Sequence, residues 1–303
     1  MILPYVDETL DAAALIAQMR LTRDLQSSAK KLDRIQARYL VDFYYTMQDL
    51  RIRAAGQIRS MNASDEPNEL LQWTLKIYAQ LEDDTKHALK VYAESKEPGR
   101  WALSVLGIGP VIASGLLGHV NIERTLSAGQ LWRFAGYDPT VVWKKGEKRP
   151  WNVKLKTLGW KASTSFIKFQ NNPECYYGKI YQQRKAYELG KNNMKSVMVA
   201  GKTAYTILDP SRTSDYADQA ARALSLKNYG EETDARKWYE KGMLSPGHIQ
   251  ARVTRYTAKM FLSHYHKVAY ESFYGKKAPT PWVIQFGGHI HEIFPPGWES
   301  PAQ

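Results

Sequence analysis

The stretch LSVLGIGPVIASGLL, residues 103–117, predicts two short helices joined by a tight glycine turn. An apolar helix ends before Gly107, and a second helix begins near Pro110, a residue that the first turn of a helix accommodates. Gly107 and Gly109 permit positive φ and let a phosphate come close to the backbone. The free N–H groups and the positive dipole end of the second helix then face that anion. This is the helix-hairpin-helix pattern, which grips the DNA backbone without reading base sequence.

The hairpin supplies the first group of candidate DNA-binding residues. Ile108 is expected to be a hydrophobic pin, and the backbone amides around it are expected to meet one phosphate. The candidates are Gly107, Ile108, Gly109, Pro110 and Val111. A plain helix-loop-helix corner without a ligand is the alternative interpretation of this motif.

The charge of the chain is concentrated directly after the hairpin. The 303 residues carry 42 Lys and Arg against 30 Asp and Glu, a net charge of +12. Residues 1–143 sum to −1 and residues 203–303 to +2, so residues 144–202 supply +11. Such density costs a compact fold stability unless anions neutralise it, and nucleic acid is the commonest such partner. A solvated basic face is the alternative.

Aromatic side chains are interleaved with these cations. Nucleic-acid surfaces combine the two types because cations meet phosphates and flat rings stack on bases. Trp160 and Phe166 lie near the apolar Leu155 and Leu158, so we expect those two rings in the core instead. The candidate contacts of this segment are Lys144, Lys145, Lys148, Arg149, Trp151, Lys154, Lys156 and Lys161.

Composition and periodicity predict a mainly α-helical protein with little β structure. With 44% hydrophobic and 24% charged residues the chain is typical of globular proteins, and no apolar run approaches the length of a membrane span. Cys175 is the only cysteine, which excludes an internal disulfide and fits a reducing compartment. The N-terminal residues lack the basic region of a signal peptide, so we expect a cytoplasmic protein.

Apolar residues at spacings of three and four predict the helices. The expected helical segments are 8–59, 69–94, 216–226, 231–243 and 246–274. The first two form an antiparallel hairpin of the kind that packs or dimerises, so a homodimer is compatible with the sequence. The polar residues 191–214 are expected to form an exposed loop.

The chain is predicted to contain four segments. A helical hairpin covers residues 1–97, and the hairpin motif with its basic, aromatic module covers 98–202. C-terminal helices follow at 203–274, and residues 275–303 form an extended arm rich in Pro and Gly.

A family resemblance starts from the same residues. The run GIGPVIASGLLGHVNIERTLSAGQLWRFAGYDP, residues 107–139, followed by a basic segment and KLKTLGWKASTSFIKF, resembles the C-terminal domain of bridge-RNA-guided insertion-sequence transposases. Those proteins pair a DEDD nuclease domain with a catalytic serine. The resemblance covers residues 101–187 and, more weakly, 251–274. The tail, with Gly288-His289 and Pro295-Pro296, is similar to transposase-like proteins of bacteriophages.

The chain departs from that family at its catalytic positions. About where the family has its serine this sequence has Lys144, and Thr140 is the nearest hydroxyl. The first 100 residues show no alternating strands with acidic ends, which a DEDD nuclease needs for its metal ions. What the resemblance implies is therefore a DNA-binding protein of phage or mobile-element type that acts in DNA processing, in a bacterial or phage-infected cell, with RNA as a further candidate partner.

A base-modification transferase is the alternative function. Such an enzyme would flip a 5-hydroxymethyl-pyrimidine out of duplex DNA and transfer a small group, such as an amino acid, onto it. It needs a DNA clamp, stacking rings and cations for a leaving group, and this chain has all three residue classes. The candidate catalytic residues are Asp138, which is also a good turn residue before Pro139, and His289 and His291. No metal site and no cofactor are identified.

Overall fold

The computed structural model describes residues 21–61, 69–226, 229–288 and 292–301. Within these ranges the chain is mainly α-helical with one small antiparallel sheet, which confirms the predicted fold class. The helices are α1 (Arg23–Ser28), α2 (Arg34–Met61), α3 (Glu69–Glu94), α4 (Glu97–Ser104), α5 (Pro110–His119), α6 (Ala128–Phe134), α7 (Val153–Lys168), α8 (Tyr176–Lys191), α9 (Ala217–Leu226), α10 (Asp234–Glu240), α11 (Pro246–Tyr274) and α12 (Trp282–Gln285). Strands β1 (Met194–Val199) and β2 (Lys202–Ile207) follow α8. Short 3-10 helices lie at Ala29–Lys31 and Ile122–Arg124.

The chain forms two compact units whose bounds differ from the four predicted segments. The first unit contains Met1–Leu103 and Gly109–Asn121, and the second contains Ser104–Ile108 and Ile122–Gln303. One of the points at which the chain passes between units, Ile108 to Gly109, therefore lies in the glycine turn.

The first unit is built on two antiparallel helices, α2 and α3. Val41 near the start of α2 shares a buried cluster with Leu89 near the end of α3, whereas Arg51 and Gln48 further along α2 bind Glu82, which lies earlier on α3. Helix α5 packs on both helices, and the Ser114 hydroxyl donates to the Leu89 carbonyl at 2.7 Å. The predicted helical hairpin is thus present in the described residues.

The predicted first helix is interrupted at Asp33. Its carboxylate accepts the N–H groups of Ile35 and Gln36 at 2.7 and 2.8 Å, and the Gln36 side chain accepts the Asp33 N–H at 2.9 Å. This reciprocal capping starts a new helix and ends the preceding 3-10 turn. The predicted helical residues 8–20 lie outside the described residues.

The second unit packs around α11, which contacts α6, α7 and α8. Its centre is a cluster of three fully buried rings: Phe166 stacks on Tyr177 at 4.7 Å between centroids, and Phe261 meets both edge-on at 5.3 Å. Phe166 is therefore in the core, as predicted. Trp160 is not, because it lies on the other side of α7 with 56% of its surface exposed.

The prediction of an exposed loop at 191–214 is wrong for most of that segment, because two strands form there. Strands β1 and β2 pair there in antiparallel register, with Val199 opposite Lys202. Ala200 and Gly201 form the two-residue connection with φ of +49° and +74°, the backbone that a tight hairpin turn requires. Alternating Val197, Val199, Thr203 and Tyr205 favour strands, although they are set among polar residues.

The C-terminal segment lies on the second unit where it is described. The Phe294 carbonyl accepts the Tyr176 hydroxyl at 3.0 Å, and the Trp298 indole N–H donates to Glu271 at 2.8 Å. Lys267 on α11 binds Glu292 at 2.7 Å. Residues 292–298 therefore form an arm that is bonded to helices α8 and α11.

Candidate nucleic-acid interface

Of the two glycines of the turn, Gly107 has a positive φ, whereas Gly109 is extended with φ of −100°. Gly107 adopts φ of +102°, and a Cβ atom there would come within 3.1 Å of the Phe166 ring, so a side chain would meet both strain and crowding. Gly109 is the N-cap of α5 and offers no side-chain acceptor, and Pro110 occupies the first turn. The start of α5 is therefore left without a side-chain cap. Gly107 and Ile108 belong to the second unit, and Gly109 begins a segment of the first.

The side chains of the candidate residues Ile108 and Val111 are buried and serve packing. Ile108 is buried, as the role of an apolar pin requires. Val111 is buried in the first unit with Leu89 and Val41, so its backbone N–H alone remains a candidate contact.

The basic turn, defined here as residues 144–149, is exposed throughout. It closes through its own backbone: the Trp143 indole donates to the Glu147 carbonyl at 2.8 Å, and the Glu147 carboxylate accepts the Lys144 N–H at 3.3 Å. The Arg149 guanidinium lies 5.3 Å above the Trp143 ring. Within the described residues, the side chains of Lys144, Lys145, Lys148 and Arg149 form no salt bridge. Four cations are therefore presented to solvent by one short turn.

Trp151 anchors the basic turn to the second unit. A Cβ atom on Gly136, whose φ is +71°, would lie 2.7 Å from this indole, so the ring packs directly on the backbone there. The Lys156 ammonium lies 4.4 Å from the same ring, and the Asn152 N–H donates to the Phe134 carbonyl at 2.8 Å. Trp151 and Lys156 thus hold the basic turn in place. The other two predicted cations lie on α7, Lys154 exposed and Lys161 half-buried.

A groove of about 680 Å³ lies between α7 and α11. Its volume is within the range of about 300–1,000 Å³ that is typical of ligand sites. The exposed Trp160 stands at its edge beside Lys156, and Tyr137 lies between the two helices. The Tyr137 hydroxyl donates to the Lys156 carbonyl at 2.9 Å, and burial raises the pKa of this phenol above its usual range.

A smaller cleft of about 290 Å³ shares Tyr137 and Arg255 with the groove. We call it the cationic cleft. It lies between α8, α11 and the turn at 136–139. The residues that line it are Gly136, Tyr137, Asp138, Pro139, Arg184, Glu188, Arg252, Arg255, Tyr256 and Lys259.

Glu188 is bonded to two of the four cations in the cleft. This carboxylate is only 1% exposed and accepts hydrogen bonds from Tyr216 at 2.6 Å, from Arg184 at 2.6 and 2.9 Å, and from Arg252 at 3.1 Å. Burial raises the pKa of Glu188, but these donors outweigh that effect and lower it. The carboxylate is therefore ionised at neutral pH.

The other two cations have no such carboxylate bound to them. Burial and the neighbouring Arg252 lower the pKa of Arg255. Burial and, more weakly, Arg184 lower the pKa of Lys259, whereas Asp138 raises it. The Lys259 ammonium lies 4.1 Å from the Trp132 ring.

Asp138 is held as a turn residue. Its carboxylate accepts the Thr140 N–H at 2.9 Å and the Thr140 hydroxyl at 2.7 Å. These bonds, the backbone one first, lower the pKa of Asp138. Because a general base works best with a pKa near the working pH, this geometry favours the turn role over the predicted catalytic one. The hydroxyl of Thr140 is engaged in the same turn.

The described histidines of α11 do not form a chelate. His264 accepts the Tyr177 hydroxyl at Nδ1 (2.7 Å) and donates from Nε2 to the Ile293 carbonyl (2.8 Å), whereas His266 donates to the Thr125 carbonyl at 2.7 Å. Within the described part of the chain no cluster of three metal-ligating side chains occurs. His289 and His291 lie outside the described residues, so their predicted role stays a prediction.

His264 should make stability depend on pH. Burial lowers its pKa from 6.5 to about 4. Between pH 6.5 and 4, His264 is therefore protonated in the unfolded chain and neutral in the folded protein. The free energy of unfolding falls by about 3 kcal/mol as pH drops from about 6.5 to about 4. Urea unfolding of the wild type and of His264→Gln across this range should show a flatter pH profile in the variant. His87→Gln removes an exposed imidazole as the control, and equal profiles for wild type and His264→Gln would contradict the expectation.

The cationic cleft was not predicted from the sequence. Arg252, Arg255 and Lys259 are spaced by three and four on a predicted helix, so they share a face, and this was the available signal. Arg184 comes from another helix, so its addition to that face depends on packing.

Comparison with protein-family models, with curated proteins and with solved structures finds no match to this chain. No helix in the described ranges is both long enough and apolar enough to cross a bilayer.

Proposed function

We propose that this protein binds duplex DNA through the basic turn and the glycine turn. The observation that carries the proposal is the exposure of Lys144, Lys145, Lys148 and Arg149 together, without a salt bridge in the described residues. The single acid of the turn, Glu147, is bonded to the turn's own backbone. Lys and Arg placed in this way bind phosphates by releasing counterions from DNA.

The glycine turn adds a second phosphate contact in this proposal. Gly109 leaves the start of α5 without a side-chain cap, and helix N-termini bind phosphates through their free N–H groups. Both contacts address the backbone of DNA, so the expected binding has little base specificity.

On the basis of the resemblance to transposases, we propose that this binding serves DNA processing by a phage or mobile element, in the cytoplasm of a bacterial or phage-infected cell. Lys144 stands about where the family has its serine, and the Thr140 hydroxyl is bonded to Asp138. We therefore propose DNA binding as the function and leave strand transfer out of it. RNA that co-purified with the protein would instead indicate an RNA-binding adaptor.

The test is duplex binding as a function of salt concentration. If the basic turn contacts four phosphates, the logarithm of the association constant should fall against the logarithm of salt concentration with a slope of about −3 to −4. Fluorescence anisotropy with duplexes of unrelated sequence measures both the slope and the specificity. A lack of binding at about 0.05 M salt, or affinity independent of salt, would contradict the proposal.

The base-modification transferase remains a second candidate because the exposed Trp160 lines a groove together with the cations Lys156 and Arg255. A flipped base needs a concave site with a stacking surface. Mass spectrometry of nucleosides from DNA incubated with the protein and small metabolites separates the candidates. A new thymidine derivative supports the transferase, and unchanged nucleosides support binding alone.

A further inference from the structure

The cationic cleft holds more positive charge than its own acids neutralise. Its lining contains four cations, Arg184, Arg252, Arg255 and Lys259, and two carboxylates. Glu188 is bonded to Arg184 and Arg252, and Asp138 is bonded to Thr140. The four cations exceed the two carboxylates by two charges, and Arg255 and Lys259 are the two cations of the lining that no carboxylate binds in the described residues.

Arg255 and Lys259 lie one turn apart on α11 and have unused donors. Within the described residues neither side chain makes a hydrogen bond or salt bridge; the Lys259 ammonium lies against the Trp132 ring and is attracted by the Asp138 carboxylate without being bonded to it. Arg255 is exposed and Lys259 is half-buried, so both can meet a ligand, and the partial burial of the Lys259 ammonium without an acceptor raises the free energy of the folded protein. Arrangements of this kind are kept where an anion supplies the missing partner.

The surroundings of the two cations indicate what that anion carries. Arg guanidinium and Lys ammonium groups together are the usual donors to phosphate oxygens. The cleft adjoins the groove between α7 and α11, since Tyr137 and Arg255 line both. At the edge of the groove Trp160 exposes more than half of its surface, on a helix whose buried face is already filled by Phe166. A planar base can stack there.

We propose that the adjacent cleft and groove together bind an unpaired nucleotide, with its phosphate on Arg255 and Lys259 and its base in the groove against Trp160. The same chemistry could come from a nucleotide within a single DNA strand or from a free nucleoside phosphate. Both sources offer a phosphate joined to a planar ring, and the cleft and the groove together offer one place for each part.

This site goes beyond duplex binding by the basic turn. Its residues come from α7, α8, α11 and the turn at 136–139, and it shares none with residues 144–149. Either proposal can therefore fail while the other stands. A protein with the basic turn neutralised should still bind an unpaired nucleotide.

The test compares the wild type with the double variant Arg255→Gln, Lys259→Gln. The probes are a short single-stranded oligothymidylate, thymidine monophosphate and inorganic pyrophosphate, and titration calorimetry measures their dissociation constants. The double variant should bind the phosphate-bearing probe about tenfold more weakly or worse. The matched control is Arg222→Gln, Lys241→Gln, which removes the same charges from exposed positions of the second unit and should stay within about twofold of the wild type.

Loss of folding would not hide the result. Arg252 lowers the pKa of Arg255 and Arg184 lowers that of Lys259, so removal of these two charges should leave thermal unfolding unchanged or shift it to higher temperature, whereas the probe should raise the unfolding temperature of the wild type only. Trp160→Ala should weaken the binding of the nucleotide probes and leave the binding of pyrophosphate unchanged, because it removes the stacking ring alone.

The outcomes decide the proposal and the source of the ligand. Binding of the oligothymidylate alone identifies a nucleotide within a strand, and equal binding of the monophosphate identifies a free nucleotide. Absence of binding by all three probes, or equal affinity of the wild type and the double variant, overturns the phosphate site. An unchanged affinity of Trp160→Ala for both nucleotide probes overturns the placement of the base.

Discussion

Alanine at Lys144, Lys145, Lys148 and Arg149 together is expected to weaken duplex DNA binding by about 10²–10³-fold at about 0.1 M salt. Each of these cations is exposed and forms no salt bridge within the described residues, so each is available to displace counterions from a phosphate. The salt slope should also become shallower by about 3 to 4, because that many phosphate contacts are lost.

The control for this variant is alanine at Lys30, Lys31, Arg53 and Lys86. These residues are three lysines and one arginine, all exposed and all in the first unit. The two variants have equal net charge, so a general effect of charge would weaken both equally. Wild-type affinity and slope in the first variant would refute the proposed role of the basic turn. Circular dichroism should show both variants folded, because the mutated side chains are exposed.

Glu188→Ala is expected to lower the free energy of unfolding by about 3–5 kcal/mol. The carboxylate accepts from Tyr216, Arg184 and Arg252 in a site that excludes water. Alanine leaves two guanidinium groups without their anion, next to Arg255 and Lys259, which are already cationic. Loss of one partner from a buried ion pair costs far more than loss of the whole pair, because a charge remains buried.

Urea unfolding of Glu188→Ala should be compared with that of Glu240→Ala. Glu240 also pairs with an arginine four residues earlier on its helix, Arg236 at 2.6 Å, but its side chain is 51% exposed. Its replacement should cost less than about 1 kcal/mol. An equal loss of unfolding free energy in the two variants would show that the Glu188 network does not stabilise the fold more than an exposed ion pair does.

The Glu188 network also has a pH signature. The pKa of this carboxylate is lowered in the folded protein, so its contribution to stability is present above the ordinary pKa of 4.5 and is lost as pH falls through the folded value. Glu188→Gln keeps the size of the side chain and removes the charge, so its stability should be lower at neutral pH and change less on acidification.

Local signals predicted several helix bounds correctly. Helix α11 begins at Pro246 after Ser245, whose hydroxyl accepts the His248 N–H at 3.3 Å, and it ends at Gly275 with φ of +63°. Serine before the helix, proline in its first turn and glycine after its last are visible in the sequence because each acts within a few residues. The break at Asp33 carried the same kind of signal, an acidic cap followed three residues later by Gln36, which the prediction passed over.

The sequence alone determined the helical class, the glycine turn and the exposed run of cations at 144–149, since propensity, capping and charge density act over short stretches of chain. Tertiary packing decided which face of α7 is buried, and so left Trp160 exposed while Phe166 is enclosed. It also brought Arg184 beside Arg252, Arg255 and Lys259 and placed Glu188 among them. Burial and the pairing of charges depend on residues distant in sequence that meet only when helices pack. Packing therefore decided that Glu188 binds Arg184 and Arg252 and does not bind Arg255 or Lys259.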